Sequence, residues 1–333
     1  MASDLSVHFT DFAADYETIL ARAREMVSRF PPLLRDLAEP LLPELSEGEF
    51  SRIVALLPYW VADLLDGSES RHTDETGTLG LATLLGWWSY SIQDQLLDRD
   101  LERPELLPLA MAFRAAAIRL LAQILPGHEA FWTAYQRLSL TSAEAHLWEQ
   151  RRHFRTFADL EAGTLEPGAF DLENLDRLAD RSALLQLAVV AQCALRNHDT
   201  EHPRYQALTE MLRQYTIARQ IGDDRTDWVE DLRNGRLNYV SARTARRMVE
   251  TGAAQSYAEL DANWMAGYFL YDDELFAEIQ RAAMTACQRA AQSIAGHDSA
   301  YLAELVSELA GRLECGYNAA SHSRRKLKAS FQT

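Results

Sequence analysis

Five carboxylates fall within nine positions in the stretch "DDRTDWVED", residues 223–231. Asp223, Asp227 and Asp231 recur every four residues, so on a helix they share one face, with Asp224 beside them. A second pair, Asp94 and Asp98, stands four apart near the end of "LGLATLLGWWSYSIQDQLLDRD", residues 79–100. Like charges at this spacing weaken a helix, and the negative end of the helix dipole opposes them as well. Either these are solvated acidic helix ends, or a counter-ion belongs there. Two such sites in one chain favour the counter-ion. Carboxylate oxygens are hard ligands suited to Mg²⁺, which keeps several waters and shares its shell with phosphate oxygens. The chemistry this implies is a Mg²⁺-bridged diphosphate held above an apolar pocket.

Helices must position these acids. Stepping back by threes and fours from Asp94 gives Tyr90, Trp87 and Thr83, an aromatic and apolar stripe that a pair of acids caps. Trp87 and Trp88 point about 100° apart and cannot both face one cavity. Trp87 lies two turns before Asp94 and is the better candidate for a cavity wall, with Tyr90; Trp132 and Tyr135 are further candidates, and any of these aromatics reads equally as core. Nearly every other segment has a helical period. Long helices are predicted over about 79–98, 130–160, 204–231 and 272–294, with a last one from about 299. Ser46 and Glu49 have the spacing of a capping box opening a helix that closes on Gly67. Polar loops are predicted at 67–78 and 163–176. Alternating β-rich runs and fixed-period repeats are missing, so the fold class is all-α, read as one large helical domain over 1–333.

Composition narrows the function classes. A chain of 333 residues with 47% apolar and 25% charged residues folds around a substantial core. Its net charge of −16 argues against nucleic-acid partners and against an anionic membrane surface, but not against an anionic substrate approached through a metal ion. Cys193, Cys287 and Cys315 form no CxxC pair, and the acidic N-terminus lacks a signal-peptide pattern, so a cytoplasmic location is expected. No membrane span is expected. Glu149 and His153, with His146 nearby, lack the paired ExxH motifs of a di-iron bundle. No Ser-His-Asp order, Walker loop or GxGxxG is present.

Taken together, residues 80–240 resemble the class I isoprenoid synthases: trans-prenyl diphosphate synthases, squalene and phytoene synthases, and class I terpene synthases. Asp94-Gln95-Leu96-Leu97-Asp98 is similar to their first aspartate-rich motif, DDxxD, with Gln in its second place. "QIGDDRTDWVED" is similar to the second, and also fits the (N/D)Dxx(S/T/D)xxx(E/D) pattern of terpene cyclases at Asp223, Asp227 and Asp231. "DLRNGRLNY" is similar to the family's tail after this motif. Arg181-Ser182 fall where prenyl synthases carry a Lys-Thr pair, 42 residues before Asp223. One departure stands out. Prenyl synthases carry a basic GKxxRP-like signature near the N-terminus that holds a second diphosphate, and the first 80 residues contain nothing like it.

The resemblance implies an all-α bundle of the class I isoprenoid synthase type and three Mg²⁺ ions held by Asp94, Asp98, Asp223, Asp227 and Asp231. It also implies Arg181 as the diphosphate-sensing donor, with Arg177, Arg225, Arg324, Arg325 and Lys326 as further cations over the diphosphate, and a homodimer. The missing second diphosphate signature points to a cyclase: a carbon–oxygen lyase that ionises one linear prenyl diphosphate in a dry cavity. The alternatives are a chain-elongating prenyl diphosphate synthase and, in another class, a partner subunit that binds prenyl diphosphate without turnover.

Overall fold

The computed structural model describes residues 10–66, 72–97, 103–161, 173–198, 201–297 and 300–330, the side chains of 153–161 and of 258 excepted. The architecture is all-α as expected, and no strand occurs among the described residues. In chain order the helices are α1 (Ala13–Ser28), α2 (Pro32–Ala38), α3 (Leu42–Glu47), α4 (Glu49–Asp66), α5 (Asp74–Leu97), α6 (Leu106–Ile124), α7 (Glu129–Glu161), α8 (Leu175–Arg181), α9 (Leu187–Leu195), α10 (Pro203–Arg233), α11 (Tyr239–Glu250), α12 (Ala262–Tyr271), α13 (Asp273–Ile294) and α14 (Ala300–Ser330). The chain gathers into two compact units built from interleaved segments. One comprises Met1–Leu138, Leu184–Thr209 and Gly296–Glu304; the other comprises Ser139–Ala183, Glu210–Ala295 and Leu305–Thr333.

In the first unit α4 and α5 form the centre. Pro58 inside α4 has no N–H to give the carbonyl of Val54. Thr83 on α5 supplies the missing donor, its Oγ1 standing 2.7 Å from that carbonyl oxygen. One turn earlier Gly80 allows the α5 backbone to approach Ala55 closely. Gln192 on α9, fully buried, donates to the Pro58 carbonyl at 2.9 Å. Arg204 caps the C-terminal end of α4 by donating to the carbonyls of Leu64 and Leu65, at 2.9 and 2.6 Å, where the dipole favours a cation.

Two local expectations for this unit are corrected. The loop predicted to run to residue 78 yields at Asp74, because the Thr73 hydroxyl accepts from the Thr76 N–H and Asp74 and Glu75 occupy the favourable first turn. Ser46 opens no helix; it lies near the end of α3, where its hydroxyl donates back to the Leu42 carbonyl, and Gly48 separates α3 from α4. Among the described residues one helix, α6, is long and apolar enough to cross a membrane. It packs on α5, where Phe113 meets Trp88 edge-on, and leaves Arg114 and Arg119 exposed.

The second unit holds most of α10 with α11–α13 and most of α14. Gly222 on α10 admits the Leu313 side chain of α14, whose Cδ2 stands 2.5 Å from where a Cβ would be. Trp228, Phe269, Phe276 and Tyr317 pack in succession, Tyr317 stacking on Phe276 at 4.9 Å. Asp272 starts α13 by accepting from the Leu275 N–H at 2.8 Å, as the run "YDDE" suggests.

Candidate functional site

Helix α10 carries its acids on two faces with different surroundings. Asp223 and Asp227 are exposed and Asp231 is half-buried, whereas Asp224, Trp228 and Leu232 face the packed interior. Asp223 lies 3.6 Å from the Arg219 guanidinium one turn back. The Asp227 carboxyl is raised above the ordinary carboxylate range by partial burial and by the like charges of Asp223 and Glu230. Arginines answer part of this charge: Arg219 stands beside Asp223, and Arg236 beside Asp231 also acts to lower Asp227.

Asp224 is used differently. Only 6% of its surface is exposed. Gln220 Nε2 donates to its Oδ1 at 2.7 Å, and the backbone N–H of Tyr239 donates to its Oδ2 at 2.9 Å. Burial still dominates and pushes this carboxyl up to about 7. Helix α10 ends at a left-handed Gly235 (φ +77°), and the Arg236 N–H returns to the Asp231 carbonyl at 2.8 Å. Three residues on, Asn238 caps α11: its Oδ1 accepts from the N–H groups of Val240 and Ser241, and Ser241 Oγ accepts from the Asn238 N–H. The Asn238 Nδ2 turns back to donate to Asp231 Oδ2 at 2.8 Å and to the Asp224 carbonyl at 3.4 Å. Arg236 meets the other oxygen of Asp231 at 3.0 Å.

The candidate cations are placed as follows. Arg181 is 8% exposed, and its Nη1 donates to Glu149 on α7 at 2.5 Å. Ser142 Oγ donates to the Arg181 carbonyl at 2.6 Å. The Arg181 charge also acts to lower the Asp224 carboxyl, against the larger effect of burial. Arg177 pairs with Glu144 at 3.2 Å. Arg225 points into the packing of α13 and α14, where it meets Gln280 and the Leu313 carbonyl. Arg324 caps α12 by donating to the carbonyls of Phe269 and Leu270 and lies 4.0 Å over the Phe276 ring. Arg325 donates to the Ser321 carbonyl in its own helix.

In the first unit Asp94 is half-buried, one turn after Tyr90 on α5. Asp98 lies outside the described residues. Trp87 is half-buried and stacks on Tyr90 at 5.3 Å and against Phe50 at 4.4 Å. Trp88 is core: fully buried, it donates to the Leu45 carbonyl at 2.9 Å and meets Phe113 edge-on. Trp132 and Tyr135 pack on each other at 5.7 Å.

Among the described residues no three His, Cys, Asp or Glu side chains already stand together as a metal cluster. Asp223, Asp227 and Asp231 nonetheless offer the carboxylate oxygens that Mg²⁺ takes, and Asp223 and Asp227 are exposed to it. Sequence reasoning missed Asn238, Arg236 and the Glu149 partner of Arg181. Asn238 had a signal, an Asn with Ser three residues on at the head of an amphipathic run. The Glu149–Arg181 pairing spans 32 positions and has none.

No protein-family model matches the chain, and no curated protein matches it by sequence. Solved structures do match. A geranylgeranyl pyrophosphate synthetase from the archaeon Geoglobus acetivorans superposes with TM-score 0.67 at 14% identity, over 93% of this chain and 99% of that one. A decaprenyl diphosphate synthase from Rhodobacter capsulatus gives 0.65 at 15% identity, over 92% and 96%. An octaprenyl pyrophosphate synthase from Helicobacter pylori gives 0.60 at 14% identity, over 88% and 99%. The chain therefore has the class I isoprenoid synthase fold.

Proposed function

We propose that the protein is an enzyme acting on a linear prenyl diphosphate. The observation that carries this reading is the gathering of Asp223, Asp227 and Asp231 along one side of α10, where burial and like charge raise the Asp227 carboxyl, on a fold shared with prenyl diphosphate synthases. Asp94 and Asp98 are proposed as further carboxylate ligands for Mg²⁺. Bound Mg²⁺ supplies the Lewis acidity that makes diphosphate a leaving group. The chain's own residues hold the ions through carboxylates and present Arg181 to the diphosphate. Trp87 and Tyr90 shield the ionised substrate from water, which would quench it, and their ring faces attract its positive charge.

Two fates of the ionised substrate follow. Transfer to the double bond of a second prenyl diphosphate, lengthening the chain, is the reading that the names of the similar structures support. The enzyme would then be a transferase. Cyclisation with loss of diphosphate is the second reading. Favouring it are the first 80 residues, which lack a Gly-Lys signature for a second diphosphate, and Gln95 in the first acidic motif.

The deciding experiment incubates the purified chain with C10, C15, C20 and C25 diphosphates and Mg²⁺, with and without isopentenyl diphosphate, and identifies products by mass spectrometry. A longer diphosphate that requires isopentenyl diphosphate establishes transfer. A hydrocarbon or alcohol with free diphosphate establishes cyclisation. Consumption of no substrate under any condition sinks the catalytic reading and leaves that of a binding subunit. In either catalytic case Asp227→Asn abolishes turnover.

A further inference from the structure

Asn238 occupies the junction between the acidic end of α10 and the start of α11 and is 2% exposed. Its side chain uses both ends. The Oδ1 accepts the N–H groups of Val240 and Ser241 at 3.1 Å each, which fixes the carboxamide plane against the helix start. The Ser241 hydroxyl accepts the Asn238 N–H at 2.7 Å, so the cap is reciprocal and the side chain cannot rotate without breaking it. With Oδ1 committed, Nδ2 points back and donates to Asp231 Oδ2 at 2.8 Å. The junction is itself anchored. The neighbouring Tyr239 N–H donates to the buried Asp224 carboxylate, and Nδ2 also reaches the Asp224 carbonyl. Asp224 thus serves as the peg on which α11 hangs, and both its oxygens are taken by Gln220 and Tyr239.

We propose that Asn238 is a positioning residue for Asp231: the cap of α11 fixes one oxygen of that carboxylate through the Asn238 amide and thereby sets the orientation in which Asp231 serves the cation. The inference rests on the reading of Asp231 as a metal ligand. Ligating carboxylates are themselves commonly held by hydrogen bonds from groups that never touch the metal, and loss of such a group typically costs 10–100-fold in affinity. Asp223 is exposed, with the Arg219 guanidinium 3.6 Å away. Asp231 is held at both oxygens, by the Asn238 amide and by Arg236.

The test separates capping from positioning. Serine caps a helix about as well as asparagine, but its short hydroxyl does not span to Asp231. Asn238→Ser therefore keeps the fold while removing the amide donor. Mn²⁺ binding in the presence of inorganic diphosphate is followed by electron paramagnetic resonance on the full chain, with a thermal melt of each variant in EDTA. The expected result is an apparent Mn²⁺ dissociation constant raised by about tenfold or more in Asn238→Ser, with the EDTA melting temperature close to that of the wild type. Asn238→Asp, a second capping variant that also lacks the donor, is expected to weaken binding likewise and serves if the serine variant does not fold. Wild-type Mn²⁺ affinity in a folded variant of either kind overturns the inference while the proposed function stands. A wild-type chain that binds no Mn²⁺ with diphosphate overturns both.

Discussion

Glu149 and Arg181 face each other at 2.5 Å with side chains only 3% and 10% exposed. A pair so buried has given up the hydration of both charges, and their mutual attraction offsets part of that cost. Removing one partner is therefore worse than removing both. Glu149→Ala leaves the guanidinium buried beside Asp224 without its Glu149 partner, and the expected cost is about 3–5 kcal/mol, read as a shift of the urea midpoint. Replacing the pair together, Glu149→Leu with Arg181→Met, is expected to recover most of that loss, because apolar side chains of similar volume need no partner. If Arg181 also serves the diphosphate, the double variant is stable and inactive, which separates the two roles of the residue. A double variant as unstable as Glu149→Ala would show that the pair contributes net stability. Arg181 could be singled out in the sequence only through its resemblance to a Lys-Thr position. Its partner lies on another helix, and no local spacing relates the two.

Helix α5 makes a sharper comparison because two of its glycines sit in opposite environments. A Cβ at Gly80 would stand 2.7 Å from the Ala55 carbonyl oxygen and 2.8 Å from Ile19 Cδ1, whereas a Cβ at Gly86 meets nothing within 4 Å. Alanine is the better helix former by roughly 1 kcal/mol, and at Gly86 nothing opposes that gain. Gly86→Ala is expected to stabilise by about 0.5–1 kcal/mol. At Gly80 the new methyl group presses on the backbone of α4, and overpacking of that kind costs about 1–3 kcal/mol, so Gly80→Ala is expected to destabilise. Chemical denaturation of the two variants gives the signs, and equal signs would mean that α4 and α5 can slide apart to accept the methyl group. The same elements show what the sequence makes legible. The long helices α7, α10, α13 and α14 announce themselves through periodicity, which depends only on residues close along the chain. The head of α5 does not, because "HTDETGT" reads as a polar loop until the Thr73 hydroxyl is seen to cap it. The acids of α10 are legible as one face at their four-residue spacing. That Asp224 turns inward while Asp223 and Asp227 stay exposed depends on what packs against the helix, and a single sequence does not state that.

Over the whole molecule the net charge is −16, and three buried tyrosines can add to it at high pH. Tyr16 and Tyr59 lie in the first unit and Tyr239 in the second, with exposures of 5%, 5% and 7%. Each phenol is pushed up to about 12, chiefly by burial. For Tyr16 the nearby Arg52 acts in the opposite direction and is outweighed; for Tyr59 the charge of Asp15 adds to the effect of burial. In the unfolded chain the same groups titrate near 10, so between about pH 10 and 12 the folded protein binds more protons than the unfolded one. Stability is then expected to be intact below pH 10 and to fall as pH rises through 12, by roughly 2–3 kcal/mol for each tyrosine. The urea midpoint measured at pH 9 and again at pH 11.5 reads this directly. Tyr59→Phe removes one of the three titrations, so the wild type is expected to lose more stability across that interval than the variant. Equal losses would mean that the Tyr59 phenolate is accommodated as readily in the folded first unit as in water, and that burial there does not govern its proton.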